Sequence, residues 1–527
     1  MLQQPVSVTF WTEDDKKNIF LEGRSEARWN DIRLEMIREE DQTKVRLAAD
    51  ESLLCYVSIR FKTKIDTKAR ILGDEWERTY GDMAWQPMIP HRRLPWYFLV
   101  TKDRETKAAG VKVRPGAMCF WQVDEEGVTL VLDVRCGGRG VALSGRTLEA
   151  ASLVWDEYHD MHSFEAARAF CRRMCKDGIL PDAPVYGSNN WYYAYGISSR
   201  EDILKDADYL KELTEGIENR PYLVIDDGWQ PDHIPEVYNG GPWRGGNAAF
   251  GDMTDLASEI EKRDVIPGIW VRLLLNEKAE VPEEGRLTHN NCLDPSHPAV
   301  KEYIREDIDT LCRWGYRLIK HDFSTYDLSG KWGNEMKPFP THDGWSFYDT
   351  GRTTAEIIVD FYRLICETAR PYRTLILGCN TIGHLGAGLM HLNRTGDDTS
   401  GRFWDMTRKN GINALAFRMP QQGIFYDIDA DCVGIMGEID WKWNRQWSDL
   451  LAGSGTSFFV SARPGLLEDA KVKEMKKFME IASQRHDPAV PEDWEDTSCP
   501  KRWIMEGQEK EYQWYTDIGI QYGDPGM

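Results

Sequence analysis

Alternation of apolar and polar residues dominates the first 160 positions of the chain. Residues 6–10, Val-Ser-Val-Thr-Phe, turn their apolar side chains to one face, as a half-buried strand does. Similar runs follow at short intervals, separated by glycines and charged residues, at 54–61, 96–101, 117–123 and 128–134. This spacing predicts an antiparallel β-sandwich over residues 1–160. A helical pattern at 163–176, with Ser163 as its expected N-cap, predicts a linker helix within residues 161–183.

From residue 184 to residue 460 strand-like and helix-like patterns alternate. Eight short apolar runs fit strands, at 185–190, 222–225, 265–275, 317–320, 374–377, 389–393, 414–417 and 456–460. Alternating β/α units over about 280 residues predict a (β/α)8 barrel of the triosephosphate isomerase type, and they place the chain in the α/β class. Residues 461–527 are expected to form a small C-terminal region with one helix, at 468–485, and a short β-like tail.

Polar and aromatic side chains fall at the ends of these predicted strands. They are Trp191, Asp226 and Asp227, Trp270, Lys320 and Asp322, Cys379, and the stretch from Arg394 to Asp398. In a barrel of this type the carboxyl ends of the strands share one face, and the active site lies there. We therefore expect these residues to converge on one candidate active site.

The strand predicted at 222–225 runs directly into Asp226 and Asp227, which Gly228 and Trp229 follow. Ionised carboxylates are costly to bury unless something holds them. At the mouth of a site they can be satisfied by hydroxyl groups or by a cation. A carboxylate pair beside a tryptophan suits a sugar, because the carboxylates accept hydroxyl hydrogens and the ring covers an apolar sugar face.

The next acidic position follows the strand predicted at 317–320. Strand alternation turns Lys320 and Asp322 to the same side and His321 to the other, where we expect it to be a wall residue. A lysine beside an aspartate lowers the pKa of the carboxyl group and keeps it ionised, as a nucleophile requires. The alternative is a structural ion pair.

A second acidic centre follows the strand predicted at 389–393. Arg394 precedes Asp397 and Asp398, and one of these aspartates is a candidate general acid, its pKa raised by the negative charge of Asp322. Two carboxyl groups from different strands can flank a glycosidic bond, at ~5–5.5 Å in retaining enzymes and roughly 6.5–9.5 Å in inverting ones. The alternative is an ordinary capped loop.

Two further segments carry candidate chemistry. Asp427, Asp429 and Asp431 alternate, but the segment lacks the glycine and the terminal glutamate of a calcium loop, so hydrogen bonding at a barrel end is the preferred interpretation over calcium. The loop at 324–353 is long enough for a lid or a subsite wall. It carries Trp332, Trp345 and Tyr348, for which exposed aromatic packing is the alternative.

Composition narrows the partners. The formal net charge of −21 argues against binding to nucleic acid or to an anionic membrane, because those partners require clustered Lys and Arg. No apolar run approaches the ~20 residues of a membrane span. The first residues do not resemble a signal peptide, so we expect either a cytoplasmic protein or an exported one whose signal has been removed. Whether the chain forms a homo-oligomer is left open.

The chain has eleven cysteines, which are scattered without the regular spacing of a disulfide framework. Cys171 and Cys175 lie four apart on the predicted linker helix, but without nearby histidines they make a weak zinc site. Reduced, buried thiols of a cytosolic protein are the preferred interpretation. No metal and no cofactor is expected.

Five motifs, taken together and in order, resemble those of melibiase-type α-galactosidases and the related raffinose synthases. They are Val-Ile-Asp-Asp-Gly-Trp at 224–229, Pro-Gly-Ile-Trp at 267–270, Leu-Asp-Pro-Ser-His-Pro at 293–298, Ile-Lys-His-Asp-Phe at 319–323 and Arg-Thr-Gly-Asp-Asp-Thr at 394–399. The resemblance covers the whole predicted barrel, and a preceding β-sandwich is also usual in that group. His321 and the segment 324–353 depart from the commonest α-galactosidase pattern.

The resemblance implies an exo-acting, retaining, metal-free double displacement on a terminal α-linked sugar. By position, Asp322 would be the nucleophile, and Asp398 rather than Asp397 the acid/base. The remaining matched residues would bind the sugar: Asp226 and Asp227 at its outer hydroxyls, Trp270 against its ring, and Lys320, Cys379 and Arg394 along the same subsite. A transglycosylase, a hydrolase of another α-linked sugar, and an inactive carbohydrate-binding barrel remain as alternatives.

Overall fold

The computed structural model describes residue 2, residues 4–337 and residues 339–516 of the chain. Its N-terminal part consists of strands β1 Pro5–Thr12, β2 Lys16–Phe20, β3 Glu26–Trp29, β4 Ile32–Arg38, β5 Thr43–Ala48, β6 Leu54–Lys62, β7 Arg70–Gly73, β8 Leu94–Pro95, β9 Tyr97–Lys102, β10 Glu105–Val111, β11 Met118–Asp124, β12 Gly127–Asp133 and β13 Thr147–Tyr158. They form two antiparallel sheets, in the orders β2-β1-β6-β12-β11-β8 and β3-β4-β5-β13-β10-β9-β7.

These two sheets pack face to face through their apolar side chains. The ring of Phe10 in β1 lies 6.4 Å from that of Trp29 in β3, and the ring of Phe98 in β9 lies 5.7 Å from that of Trp121 in β11. Each contact joins one sheet to the other, because the inward side chains of alternating strands meet between them. The predicted β-sandwich is confirmed, and every run from which it was predicted overlaps a strand.

Helix α1, Ser163–Met174, follows the sandwich as predicted, but its N-cap is His162 rather than Ser163. Nδ1 of His162 accepts a hydrogen bond from the backbone N–H of Phe164 at 3.3 Å. The Ser163 hydroxyl is engaged elsewhere, since it accepts from Nε1 of Trp494 at 3.0 Å and donates to Glu495. A long-range contact with the C-terminal region therefore engages Ser163, and the neighbouring His162 caps the helix instead.

Parallel strands then form the barrel: β14 Tyr186–Asn189, β15 Tyr222–Ile225, β16 Ile266–Val271, β17 Leu318–His321, β18 Leu375–Gly378, β19 Leu392–Arg394, β20 Asp427–Asp429, β21 Val433–Ile435 and β22 Phe458–Ala462. Helices alternate with them: α2 Trp191–Ala194, α3 Arg200–Leu213, α4 Met253–Glu261, α5 Pro298–Arg313, α6 Ser324–Ser329, α7 Thr354–Ala369, α8 Gly383–Gly386, α9 Trp404–Met406, α10 Ala414–Arg418 and α11 Trp441–Gly453. Because helices cover the outside of the ring, the strands are buried almost throughout.

One bent segment, 427–435, closes the ring. Its first half, β20, pairs with β19, and its second half, β21, pairs with β22, which in turn pairs with β14. The segment therefore serves as the seventh strand, and the predicted (β/α)8 barrel is confirmed.

The seventh strand predicted at 414–417 is wrong, because these residues belong to α10. This helix continues directly from a π-helical turn at Thr407–Asn413, and all of its residues are buried. A short apolar run that is buried all round shows no period that separates a helix from a strand. The true strand was not predicted because β20 consists mostly of Asp427 and Asp429, and strands disfavour aspartate.

The C-terminal region contains helix α12 Asp469–Ala482 and a small antiparallel sheet of strands β23 Val490–Pro491, β24 Arg502–Met505 and β25 Gln508–Glu511. All eleven cysteines are buried and none is in a disulfide, as the scattered pattern predicted. Within the described residues, every helix is too short or too polar to cross a membrane.

Candidate active site

The barrel brings the predicted residues to one end of consecutive strands. Trp191 follows β14, and the others follow in ring order: Asp226 and Asp227 after β15, Trp270 in β16, Lys320 in β17 with Asp322 after it, Cys379 after β18, and Arg394 in β19 with Asp397 and Asp398 beyond it. Trp270 and Lys320 are aligned in the register of β16 and β17. Because the strands are parallel, all of these positions lie at the same, carboxyl-terminal mouth.

Asp226 is buried and is held by hydrogen bonds with four neighbours. Its Oδ2 accepts from Nδ2 of Asn189 at 2.6 Å and from Nζ of Lys320 at 2.8 Å, and its backbone N–H donates to Oδ1 of Asn190 at 2.8 Å. Its Oδ1 accepts from the backbone N–H of Asp227 at 2.9 Å. The ion pair and these hydrogen bonds offset the cost of burying its charge.

Asp227 is also buried, against a different set of side chains. Nε2 of Gln230 donates to Oδ1 of Asp227 at 2.8 Å, and Nδ1 of His233 lies 3.3 Å from the same oxygen. Gly228 makes the turn possible: its φ is +114°, and a Cβ there would lie 2.4 Å from the carbonyl oxygen of Gly196. The two aspartates are therefore fixed by separate partners at one strand end.

Asp322 accepts two hydrogen bonds. Nε1 of Trp270 donates to Oδ2 at 3.0 Å, and the backbone N–H of Phe323 donates to Oδ1 at 2.7 Å. Phe323 has φ +61°, an unusual conformation for a bulky residue and one of the kinds of strain found at functional sites. Burial raises the pKa of Asp322, but the charges of Lys320 and Arg78, with these hydrogen bonds, outweigh it, so the pKa lies below its ordinary value.

Arg394 is buried and joins several site residues. Its Nη2 lies 2.9 Å from Oδ1 of Asp398 and 2.5 Å from Oδ2 of Asp431, and its Nη1 lies 3.8 Å from Sγ of Cys379. Burial raises the pKa of the Cys379 thiol well above its ordinary value, and the nearby Asp322 adds to the rise. Cys379 is therefore an uncharged side chain in this site.

Asp398 has a surface that solvent can reach, with 48% of its side chain exposed. Desolvation by its surroundings raises its pKa, and the charges of Asp431 and Asp397 add to this, while Arg394 and Arg78 act in the opposite direction. The result is a pKa above the ordinary aspartate value. Asp398 is thus the more easily protonated partner of Asp322.

Arg78, from the loop between β7 and β8 of the sandwich, enters the same mouth. Its Nη2 lies 2.8 Å from Oδ1 of Asp397, and its Nη1 lies 3.8 Å from Oδ1 of Asp398. The sequence reasoning missed this residue. No local pattern marks it, because the site carboxyl groups that it contacts, Asp397 and Asp398, lie more than 300 residues away in the chain.

Only part of the loop at 324–353 lies at the site. The ring of Trp332 lies 5.5 Å from that of Phe323, next to Asp322, so it forms a wall of the mouth. Trp345 is buried against His289, with ring centroids 4.1 Å apart, and Tyr348 is exposed beside His297. The subsite-wall prediction therefore applies to Trp332 alone among the three aromatic residues.

His321 points away from the mouth, as strand alternation predicted. Its Nδ1 lies 3.1 Å from Oγ of Ser324, and its ring packs against Phe361 and Tyr362 of α7. Burial lowers its pKa to about 4, so it is neutral near pH 7. Asp427 lies at the opposite, amino end of its strand, where Nε2 of Gln422 donates to it at 2.6 Å.

Other contributors were missed although a signal for them existed. Asn189 and Asn190 end the first barrel strand and hold Asp226, so the strand-end rule applied to them as well. Asp431 was not missed: hydrogen bonding at a barrel end was the preferred interpretation of its segment, and it accepts from Thr399 N–H at 2.8 Å and from the hydroxyl of Tyr192. Within the described residues no group of three His, Cys, Asp or Glu side chains is arranged to hold a metal ion.

Trp191 is half-buried and packs against Tyr195, with ring centroids 5.4 Å apart. Arg402 lies over the Tyr195 ring at 5.2 Å. These rings form the part of the rim contributed by α2 and its C-cap residue, which follow β14. Taken together, the mouth holds an ionised carboxylate, a second carboxyl group that protonates more readily, a fixed pair of acceptor carboxylates and aromatic walls.

Comparison with known proteins agrees with this architecture. No protein-family model matches the chain, and no curated protein matches it by sequence. Among solved structures, the α-galactosidase TtGalA from Thermus thermophilus, in complex with p-nitrophenyl α-D-galactopyranoside, is similar with a TM-score of 0.59 and 16% identity, over 93% of this chain and 99% of that one. The GH36 α-galactosidase AgaA from Geobacillus stearothermophilus is similar with a TM-score of 0.54 and 14% identity, over 86% of this chain and 67% of that one.

A GH31 family sulfoquinovosidase from E. rectale also shares the fold, with a TM-score of 0.56 and 11% identity, over 95% of this chain and 82% of that one. At these identities the likeness concerns the fold. The fold that the motif resemblance implied, a β-sandwich followed by a (β/α)8 barrel, is the one this chain has, and the solved structures that share it include α-galactosidases.

Proposed function

We propose that this protein is an exo-acting, retaining α-glycoside hydrolase of the α-galactosidase kind. The observation that carries the proposal is that two carboxyl groups share one barrel mouth: Asp322, held by hydrogen bonds from Trp270 and the Phe323 N–H, and Asp398, paired with Arg394. Their pKa values are shifted in opposite directions, downward for Asp322 and upward for Asp398. Two carboxyl groups whose environments push their pKa values apart are suited to be a nucleophile and a general acid.

The proposed reaction begins with a terminal sugar held at the mouth. Asp226 and Asp227 accept hydrogen bonds from its outer hydroxyls, and Trp270 and Trp332 enclose it. Asp398 gives its proton to the glycosidic oxygen, whose bond to the anomeric carbon breaks, while a carboxylate oxygen of Asp322 forms a bond to that carbon. Trp270 and the Phe323 N–H hold Asp322 in place for this attack.

The second half of the proposed reaction releases the sugar. Asp398, now ionised, takes a proton from a water molecule, and the water oxygen displaces Asp322 from the anomeric carbon. Two inversions leave the anomeric configuration of the product unchanged. Arg394 and Arg78 stabilise the ionised form of Asp398 between the two steps.

A panel of p-nitrophenyl α-glycosides tests the proposal and names the sugar. We expect release of nitrophenol from an α-glycoside, with the α-anomer of the sugar as the first product by NMR. Asp322→Asn should lose turnover by at least about a thousandfold while retaining substrate binding, because the nucleophile is removed with little change in shape. Undiminished turnover in that variant would contradict the assignment.

The same assay separates the alternatives. If a sugar acceptor diverts the product into a new oligosaccharide at the expense of free sugar, the protein is a transglycosylase that uses the same carboxyl groups. If sugars bind and none is turned over, the barrel is an inactive carbohydrate-binding protein.

A further inference from the structure

Arg78 links the N-terminal sandwich to the mouth of the barrel. Its segment is fixed by the backbone, since the N–H of Thr79 donates to the carbonyl of Thr395 at 2.8 Å and the N–H of Asp397 donates to the carbonyl of Thr79 at 2.9 Å. These two bonds form a short parallel bridge between Thr79 and Gly396. The sandwich thereby fixes the backbone that carries Asp397 and Asp398.

The side chain of Arg78 is 7% exposed, and its guanidinium lies among carboxyl groups. Asp397 is nearest, at 2.8 Å from Nη2, while Glu77 is 3.6 Å from Nε and Asp398 is 3.8 Å from Nη1. On its other side the Trp332 ring lies 5.6 Å away, in a cation–π contact. Its Nε makes no hydrogen bond within the described residues.

We infer that Arg78 is a positioning residue of the proposed hydrolase. It holds the turn of Asp397 and Asp398 against the sandwich, and it supplies a positive charge that both Asp398 and Asp322 share. The inference rests on the proposed function, since it concerns how the same two carboxyl groups are tuned. Part of the electrostatics of the barrel site therefore belongs to the other domain.

Other charges act on the two carboxyl groups, so the contribution of Arg78 must be measured against them. Asp322 also interacts electrostatically with Lys320, Arg272 and Asp327, and with the titratable side chains of Cys379 and His321. Asp398 also faces Arg394, Asp431, Asp397, Tyr192 and Tyr195. Arg78 is a cation whose charge lowers the pKa of both carboxyl groups, so its removal should raise both pKa values together.

The experiment compares Arg78→Gln, Arg78→Lys and Arg146→Gln in the full-length protein. Arg146 is a matched control, since it also joins the sandwich to the barrel, through Glu356 at 2.6 Å, but lies outside the site. Circular dichroism and thermal melting establish that each variant folds. The pH dependence of kcat/KM and of kcat is then measured on the best p-nitrophenyl glycoside.

For Arg78→Gln we expect both limbs of the pH profile to move to higher pH, each by about one unit. We also expect kcat to fall about ten- to a hundredfold with KM little changed, because the turn is held less well. Arg78→Lys keeps the charge, so both limbs should stay in place while kcat falls, since one ammonium cannot hold two carboxyl groups as a guanidinium does. Arg146→Gln should leave the profile unchanged.

Unmoved limbs in a folded Arg78→Gln would overturn the inference. If Arg78→Gln does not fold, Arg78→Lys decides, because limbs displaced although the charge is retained would equally contradict it. If the unsubstituted protein turns over no glycoside, the proposed function is overturned and this inference with it. Turnover with unmoved limbs overturns the inference alone.

Discussion

Nζ of Lys320 donates to Oδ2 of Asp226 at 2.8 Å, so the lysine two residues before Asp322 pairs with the end of another strand. Both side chains are buried, at 10% and 4% exposure. The charge of Lys320 still lowers the pKa of Asp322. One lysine therefore neutralises the proposed sugar clamp and also keeps the proposed nucleophile ionised.

Replacing Lys320 by Met should affect stability and catalysis together. Asp226 would keep its bonds to Asn189 and Asn190 but lose its cation, and a buried charge without its partner destabilises by about 3 kcal/mol. The acid limb of kcat/KM should move to higher pH, because the pKa of Asp322 rises. Urea denaturation and a pH profile measure the two effects.

Two further variants check this interpretation of Lys320. Lys278→Met removes a lysine that is itself 69% exposed in its pair with Asp232, so it should change the unfolding free energy by less than about 1 kcal/mol. Adding Asp226→Asn to Lys320→Met should recover stability, because no unpaired charge remains. A double variant less stable than Lys320→Met would contradict the ion-pair explanation.

The pH dependence of the unsubstituted protein follows from the same two carboxyl groups. Asp322 must be ionised, and its pKa is below the ordinary 3.8, so the acid limb should lie below about pH 4. Asp398 must be protonated, and its pKa is raised, so the alkaline limb should lie at a pH above the ordinary aspartate pKa of 3.8. The active window lies between them, and Asp398→Asn should remove the alkaline limb.

Asp397 and Asp398 can be distinguished by leaving group. A poor leaving group needs protonation, whereas nitrophenolate needs little, so Asp398→Asn should slow cleavage of an oligosaccharide much more than that of a nitrophenyl glycoside. Asp397→Asn is the matched control. It removes a carboxylate that pairs with Arg78, and it should slow both substrates by a similar factor. The reverse pattern would reassign the acid/base to Asp397.

The strand ends were predictable because a parallel barrel strand has a clear signature. A short apolar run that ends in a polar side chain is unusual enough to be seen without any partner, and Asp226, Asp322 and Arg394 all follow such runs. The rule that the carboxyl ends share one face then places them together. Most of the fold and the set of candidate carboxyl groups were therefore accessible from sequence.

The contacts between side chains within the site could not be predicted from the sequence in this way. The adjacency of Lys320 and Asp322 suggested a direct pair, yet alternation along a strand does not say which neighbouring strand a long side chain reaches. Arg78 comes from another domain, and no spacing rule connects it to Asp398. Such contacts are set by how the domains pack, which the local pattern does not specify.

Replacing Asp427, which is remote from the candidate site, should stabilise the folded protein by an amount that depends on pH. Burial raises its pKa to about 7, with Asp429 adding to the rise, whereas its ordinary value is 3.8. The folded state therefore holds this proton up to a higher pH, and the stability that the protonated group contributes at low pH is lost as the pH rises through about 7.

Asp427→Asn keeps an oxygen for Gln422 and removes the charge, so the unfolding free energy should increase by about 2–4 kcal/mol more at about pH 8 than at about pH 4. Urea denaturation at both pH values measures this. Asp103→Asn, an exposed control, should change stability by less than about 0.5 kcal/mol at either pH, and an equal effect of Asp427→Asn at both would show that the charge is not the cause.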